Sequence, residues 1–262
     1  MGYREDLISF YGRQYANDNC PHYQECSSDM PTCGHRFSVA RIGKDYGKTG
    51  KPRILFVGKE GTDKPGVVCR TELNEPISLR DPCFRKDNWH FIGTIYTAAM
   101  ILFEKPCVDL NNIEALYPFD ELRHDFCLTN YFKCTFIKPE NVGRYHDIQT
   151  NSAMKRNCAN ILIEEIKVLK PDIIIVQGKH CHSSFWGKKG LCSFSDYIPQ
   201  EYKPDNNINI SVTKYKRHDD GSVFYVLWGF HPCAHGRKWF NTLPVFNQAI
   251  TYIKSDWQKE NK

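Results

Sequence analysis

Four short stretches of this 262-residue chain set ionisable or hydrogen-bonding side chains at the end of an apolar run. They are Gly58-Lys59-Glu60-Gly61-Thr62-Asp63, Asn130-Tyr131-Phe132-Lys133-Cys134, Gly178-Lys179-His180 and His231-Pro232-Cys233. A carboxylate (Glu60, with Asp63 on the same turn), a carboxamide (Asn130) and an imidazole (His231) can between them accept, donate and exchange protons around a small polar ligand. Each alone has a plain structural explanation: Glu60 as a solvated turn residue, Asn130 as a turn former, His231 as a satisfied buried histidine. Their common placement after buried strands is what points to a site.

The elements that must hold these residues are written in the apolar pattern. Residues 53–57 (RILFV), 126–132, 172–176 (DIIIV) and 223–230 (VFYVLWGF) read as strands buried on both faces. Helical spacing lies between them. In residues 151–170, Cys158, Ile161, Leu162, Ile166 and Leu169 fall near one face, and Pro171 stops the helix. Strands alternating with helices predict an α/β fold: one domain, three layers α/β/α, around a central, mainly parallel four-stranded sheet. Such sheets bind ligands beyond the carboxyl ends of their strands. Residues 2–16 suit a short helix, and residues 19–50 a Cys-, Pro- and Gly-rich loop that needs outside ties to be ordered. Residues 1–50 are therefore expected to pack as an appendage on a domain formed by residues 51–262.

Composition narrows the class. With 41% hydrophobic and 25% charged residues the chain can bury a core, which excludes a collagen-like rod or a disordered tail. No apolar run approaches the roughly 20 residues needed to span a bilayer, and the N-terminus lacks a secretory signal, so a cytoplasmic protein without membrane contact is expected. In that setting twelve cysteines point to reduced thiols and metal ligation rather than disulfides. A net charge of +5 suits a polyanionic partner without requiring one.

Several motifs together resemble a known family. Gly58 to Asp63 after a strand, His90-Phe91-Ile92-Gly93 opening a helix, Leu128-Thr129-Asn130-Tyr131-Phe132-Lys133-Cys134, Cys158 in the next helix, and His231-Pro232 followed by Arg237 look like the iron–sulfur branch (family 4) of the uracil-DNA glycosylase superfamily. The resemblance runs over roughly residues 20–250. Its first motif departs from the family, which has Gly-Glu-Ala-Pro-Gly where this chain has Gly-Lys-Glu-Gly-Thr.

The resemblance implies a monofunctional hydrolase that cuts the N-glycosidic bond of a base turned out of DNA. The base leaves with negative charge and the sugar becomes electron-poor, so a carboxylate is needed near the sugar and donors around the base. Glu60, with Asp63 in reserve, would orient water or stabilise the sugar cation. His231 would donate to a carbonyl oxygen of the departing base, Asn130 would read its Watson–Crick edge, and Phe91 would stack on it. Lys133, Lys138, Arg144, Arg237 and Lys238 are expected on rim loops as phosphate contacts. The family's four cysteines hold a [4Fe–4S] cluster, matched here by Cys134 and Cys158 with Cys26 and Cys33 as the first pair. Cys20 is an alternative to either of that pair, and a four-cysteine zinc site is an alternative to the cluster.

Uracil is the family's substrate. The altered first motif and the long segment 63–88 instead favour a pyrimidine with a substituent at position 5, such as the modified cytosines of some phage genomes, which would give the protein a part in antiphage defence. A conventional uracil-repair enzyme, a non-catalytic iron–sulfur DNA-binding or damage-sensing protein, and an iron–sulfur redox protein are the competing classes. A monomer is expected.

Overall fold

The fold is taken from a computed structural model. It describes residues 2–14, 20–28, 39–48, 50–60, 89–103, 119–133, 136–137, 148–178, 183–186, 191–199, 202, 210–229 and 236–261. At the ends of several elements, including Glu60, Phe91, Arg237 and Lys238, only the backbone is described.

The four apolar runs form the centre of the sheet. They are β2 (Ile54–Glu60), β3 (Phe126–Phe132), β6 (Ile173–Gln177) and β9 (Val223–Gly229), paired in parallel in the order β3-β2-β6-β9. The sheet is wider than the four strands expected from the sequence. On one edge β1 (Arg41–Ile42) pairs antiparallel with β3; on the other, β8 (Ser211–Arg217) and then β7 (Ser195–Ile198) add antiparallel strands, making seven. A separate two-stranded sheet pairs β4 (Phe136–Ile137) with β5 (Ile148–Gln149).

Helices cover both faces. Along β2, Leu55 and Val57 pack into one apolar cluster and Ile54 and Phe56 into another, as the period-two alternation of a strand requires. The first cluster is closed by α1 (Tyr3–Gln14) and α5 (Ser152–Leu169), the second by α3 (Trp89–Leu102) and α7 (Gly236–Glu260). Short helices α2 (Tyr23–Ser27), α4 (Phe119–Leu122) and α6 (Ser183–Trp186) lie between these elements in the chain.

Local chemistry sets the boundaries. Asn151 caps α5 by accepting the Met154 amide at 2.8 Å, and the helix ends at Lys170, held at φ 44° just before Pro171. At the amino ends of the central strands the Asp172 carboxylate accepts from the Arg53 amide (2.8 Å) and guanidinium (2.5 and 3.0 Å), locking β6 to β2. The Arg53 guanidinium also donates to the Tyr3 hydroxyl at 2.7 Å, which brings α1 to the same point. Within the stretch expected to be an irregular loop, α2 and β1 supply some of the ties it needs.

Candidate functional site

From β2 the chain builds β3 on one side and later crosses to build β6 on the other. The strand order diverges between β2 and β6, and open α/β sheets bind ligands beyond the carboxyl ends of their strands at such a point. Gly58 of β2 pairs with Asn130 of β3, and Glu60 pairs with Phe132. Glu60 is therefore the last residue of the strand itself, not part of a turn beyond Gly58.

Gly58 is required by a close approach. A Cβ built there would lie 2.6 Å from the Asn130 Oδ1, so the carboxamide occupies the space that any other residue would fill. The half-buried Asn130 thus lies over a bare patch of β2 at the rim. Phe91 is in the first turn of α3, and Arg237 and Lys238 are in the first turn of α7. Asp63, Lys138, Arg144, His231, Cys33 and Cys134 lie outside the described residues.

Lys133 overturns its expected role. Its side chain is 0% exposed, with the ammonium 2.6 Å from both the Thr129 Oγ1 and the Glu165 Oε2. It is committed to the protein interior and cannot reach a DNA phosphate. Glu165 is equally buried and accepts from Thr129 Oγ1 at 2.7 Å and from the Tyr11 hydroxyl; that same Tyr11 oxygen accepts the Ala40 amide at 2.8 Å. Burial and the nearby Glu165 push the Tyr11 hydroxyl well above its ordinary pKa, so it remains a donor. This network joins α1, β3 and α5, and sequence reasoning missed it. The signal was available, because Glu165 interrupts the apolar face of α5 between Ile161 and Leu169.

Three cysteines gather next to that network. Cys20, Cys26 and Cys158 are buried, and each lies within the electrostatic influence of the others. The Lys133 amide donates to Cys158 Sγ at 3.4 Å, and Asn157 Nδ2 donates to Cys26 Sγ at 3.6 Å. Around them α2 is pinned to α5: Asn151 Nδ2 donates to the Cys26 carbonyl at 2.9 Å, and Glu25 takes the Asn157 amide (2.8 Å) and the Arg156 guanidinium (2.5 Å). Burial raises the Cys26 thiol and carries the Cys158 thiol to about 12, so both are neutral thiols at pH 7 unless a cation compensates the thiolate. Among the described residues no three His, Cys, Asp or Glu side chains are set to hold a metal. Two of these thiols, Cys26 and Cys158, accept N–H donors of the kind that orient a thiolate ligand, and Cys134 is next in sequence to the residue whose amide holds Cys158. Of the other cysteines, Cys127 is buried, as expected for a small core residue, and Cys192 is exposed.

No helix among the described residues is long and apolar enough to cross a membrane. Comparison with family models and with curated proteins finds no match for the chain.

Proposed function

We propose that this protein is a DNA glycosylase that hydrolyses the N-glycosidic bond of a flipped-out pyrimidine and leaves an abasic site. The observation that carries the reading is Asn130 lying over side-chain-free Gly58 at the carboxyl end of β2, with Glu60 two residues further along that strand. A reading amide and a carboxylate thus share one rim of the sheet, as base recognition beside a developing sugar cation requires.

In this reaction a water oxygen bonds to the sugar C1′ as the C1′–N1 bond breaks, the bonding electron pair leaves with the base, and the proton the water gives up passes by way of the carboxylate or solvent to the departing base. Glu60, or Asp63 after it, orients the water and offsets the positive charge on the sugar. His231 donates to the base oxygen on which negative charge grows, Asn130 binds the base edge, and Phe91 stacks on the ring. Lys138, Arg144, Arg237 and Lys238 hold the bent phosphate backbone. The base is uracil or a 5-modified cytosine, with the modified base preferred.

Cys26, Cys33, Cys134 and Cys158, with Cys20 as a substitute for either of the first pair, would hold a [4Fe–4S] cluster, with zinc as the alternative. When bound, the group ties the N-terminal segment to β3 and α5 and needs no change of oxidation state. Iron and zinc per chain, measured for Cys20→Ser and for Cys33→Ser, decide which of the two is a ligand: the ligand's replacement should remove the metal and the other's should leave it.

The test is abasic-site formation in duplexes carrying deoxyuridine or 5-hydroxymethyl-deoxycytidine. The wild type should generate alkali-labile sites, and Glu60→Gln or Asn130→Ala should slow release by about 100-fold or more while DNA is still bound. Binding without base release from either duplex would leave a DNA-binding protein and remove the enzyme.

A further inference from the structure

Four positions stand in one row across the central strands. Gly58 pairs with Asn130, Gln177 pairs with Gly229, and the Val57–Val176 pair sets Gly58 beside Gln177. Residues in register on parallel strands share a face. Here it is the face under α3 and α7, where Phe56, Leu128, Ile175 and Leu227, two residues earlier on each strand, pack together. Across the rim the row reads Asn, Gly, Gln, Gly, two carboxamides separated by one position without a side chain and followed by a second.

Gln177 is only 3% exposed, and its Nε2 donates to the Oγ1 of Thr94, itself 0% exposed, at 2.8 Å. Its backbone is anchored independently of that bond. The chain leaves through Gly178 at φ 125°, whose amide donates to the Gly229 carbonyl (3.2 Å) and whose carbonyl accepts the Trp228 indole N–H (3.1 Å). Gln177 is thus the fixed member of the pair, and Thr94, in the second turn of α3, is the member being held. Apolar packing alone lets a helix slide on a sheet by fractions of an ångström. A directional bond between two buried polar groups does not, because losing it strands a donor or an acceptor away from water.

We propose that Gln177 is a specificity-determining positioning residue: by holding Thr94 it fixes the first turn of α3, which carries position 91, over the Asn130–Gly58 floor and sets the height of a slot for one flat ring. The proposal rests on the glycosylase reading. It adds that selection of the base depends on a residue one strand away from Asn130 that need not touch the base at all.

The experiment compares wild type with Thr94→Val, which keeps the shape and loses the hydroxyl, Thr94→Ser, which keeps the hydroxyl, and Gln177→Met as a second route to the same loss. Two quantities are read: amide hydrogen exchange along α3, and KM, kcat and affinity on duplexes carrying deoxyuridine, 5-hydroxymethyl-deoxycytidine or a tetrahydrofuran abasic analogue. Thr94→Val and Gln177→Met should speed exchange at residues 89–93 but not at 98–102, and should raise KM on the excised base about tenfold, as expected for a sub-ångström to 1 Å displacement. Affinity for the abasic duplex should not change, and Thr94→Ser should behave as wild type. Unchanged exchange in the first turn overturns the proposal, and so does faster exchange with unaltered base selectivity or with equal loss on base-containing and abasic DNA. A wild-type protein that does not distinguish the three duplexes overturns the glycosylase reading instead.

Discussion

On the face of the sheet covered by α1 and α5, charge and polarity are driven into the deepest layer: Lys133, Glu165, Thr129 and Tyr11 share one network beneath the helices. On the face covered by α3 and α7 the four central strands are apolar up to one level, where Asn130 and Gln177 form the rim. The first face spends its polar groups on assembly. It bonds α1, β3 and α5 to one another and places Cys158 beside the segment carrying Cys20 and Cys26. The second uses a smooth apolar floor to bring two amides and two bare glycines to a common level. One strand, β3, serves both faces, because Thr129 and Asn130 are neighbours that point to opposite sides.

If that division is right, mutations on the first face should act on stability and those at the second rim on recognition. The largest effect is expected for Glu165→Ala, which strands a buried ammonium; a loss of about 3–5 kcal/mol in urea unfolding is predicted. Lys133→Met should lower stability by a similar order, since it strands the carboxylate, and should leave the salt dependence of DNA binding unchanged. A reduced salt slope with intact stability would return Lys133 to the DNA surface.

Gly58→Ala tests the other face. The added methyl would sit 2.6 Å from the Asn130 Oδ1 and must displace it. Unfolding should show a cost of about 1–3 kcal/mol, while base release should fall further than that loss of stability explains. Asn151→Ala removes the α5 cap and the bond to the Cys26 carbonyl; about 1 kcal/mol is expected from the cap, together with lower metal content by elemental analysis.

The smallest effect concerns the far end of α5, distant from the rim. Burial works against the charged form of Asp220, yet its bonds from Lys170 and Ser222 win and hold the carboxyl well below the ordinary range. A depressed carboxylate pKa contributes stability that is complete above the ordinary carboxylate pKa and is lost as pH falls toward the folded value. The Tm difference between wild type and Asp220→Asn should therefore be largest near neutrality, shrink below about pH 4, and correspond to only a few tenths of a kcal/mol because the pair is exposed.

The central strands were legible because parallel strands buried on both faces leave continuous apolar runs, and all four runs became neighbours in the sheet. The outer strands were not. β8 reads SVTKYKR, a mostly polar run with two lysines and an arginine, and only its pairing with β9 and the bonds from Lys214 to Asp256 and Glu260 show what it belongs to. Site residues divided the same way. Asn130, singled out from the sequence, lies inside β3 level with Gly58, and Gly58 acquired a physical reason only when the Asn130 carboxamide was found against it. Lys133 misled because a lysine near a strand end ordinarily reaches solvent, and nothing local to it discloses a glutamate 32 residues later on a packed helix. Cys20, given by the sequence only as an alternative ligand, lies buried with Cys26 and Cys158, a proximity that spacing alone cannot supply.

The most direct measurement is mass spectrometry of the small molecule released when the purified protein is incubated with uracil-containing DNA and with DNA carrying 5-modified cytosine. The account predicts a free pyrimidine, one abasic site per molecule released, and a product that disappears with Glu60→Gln. Intact DNA with no free base, under conditions where the protein binds it, would contradict the account.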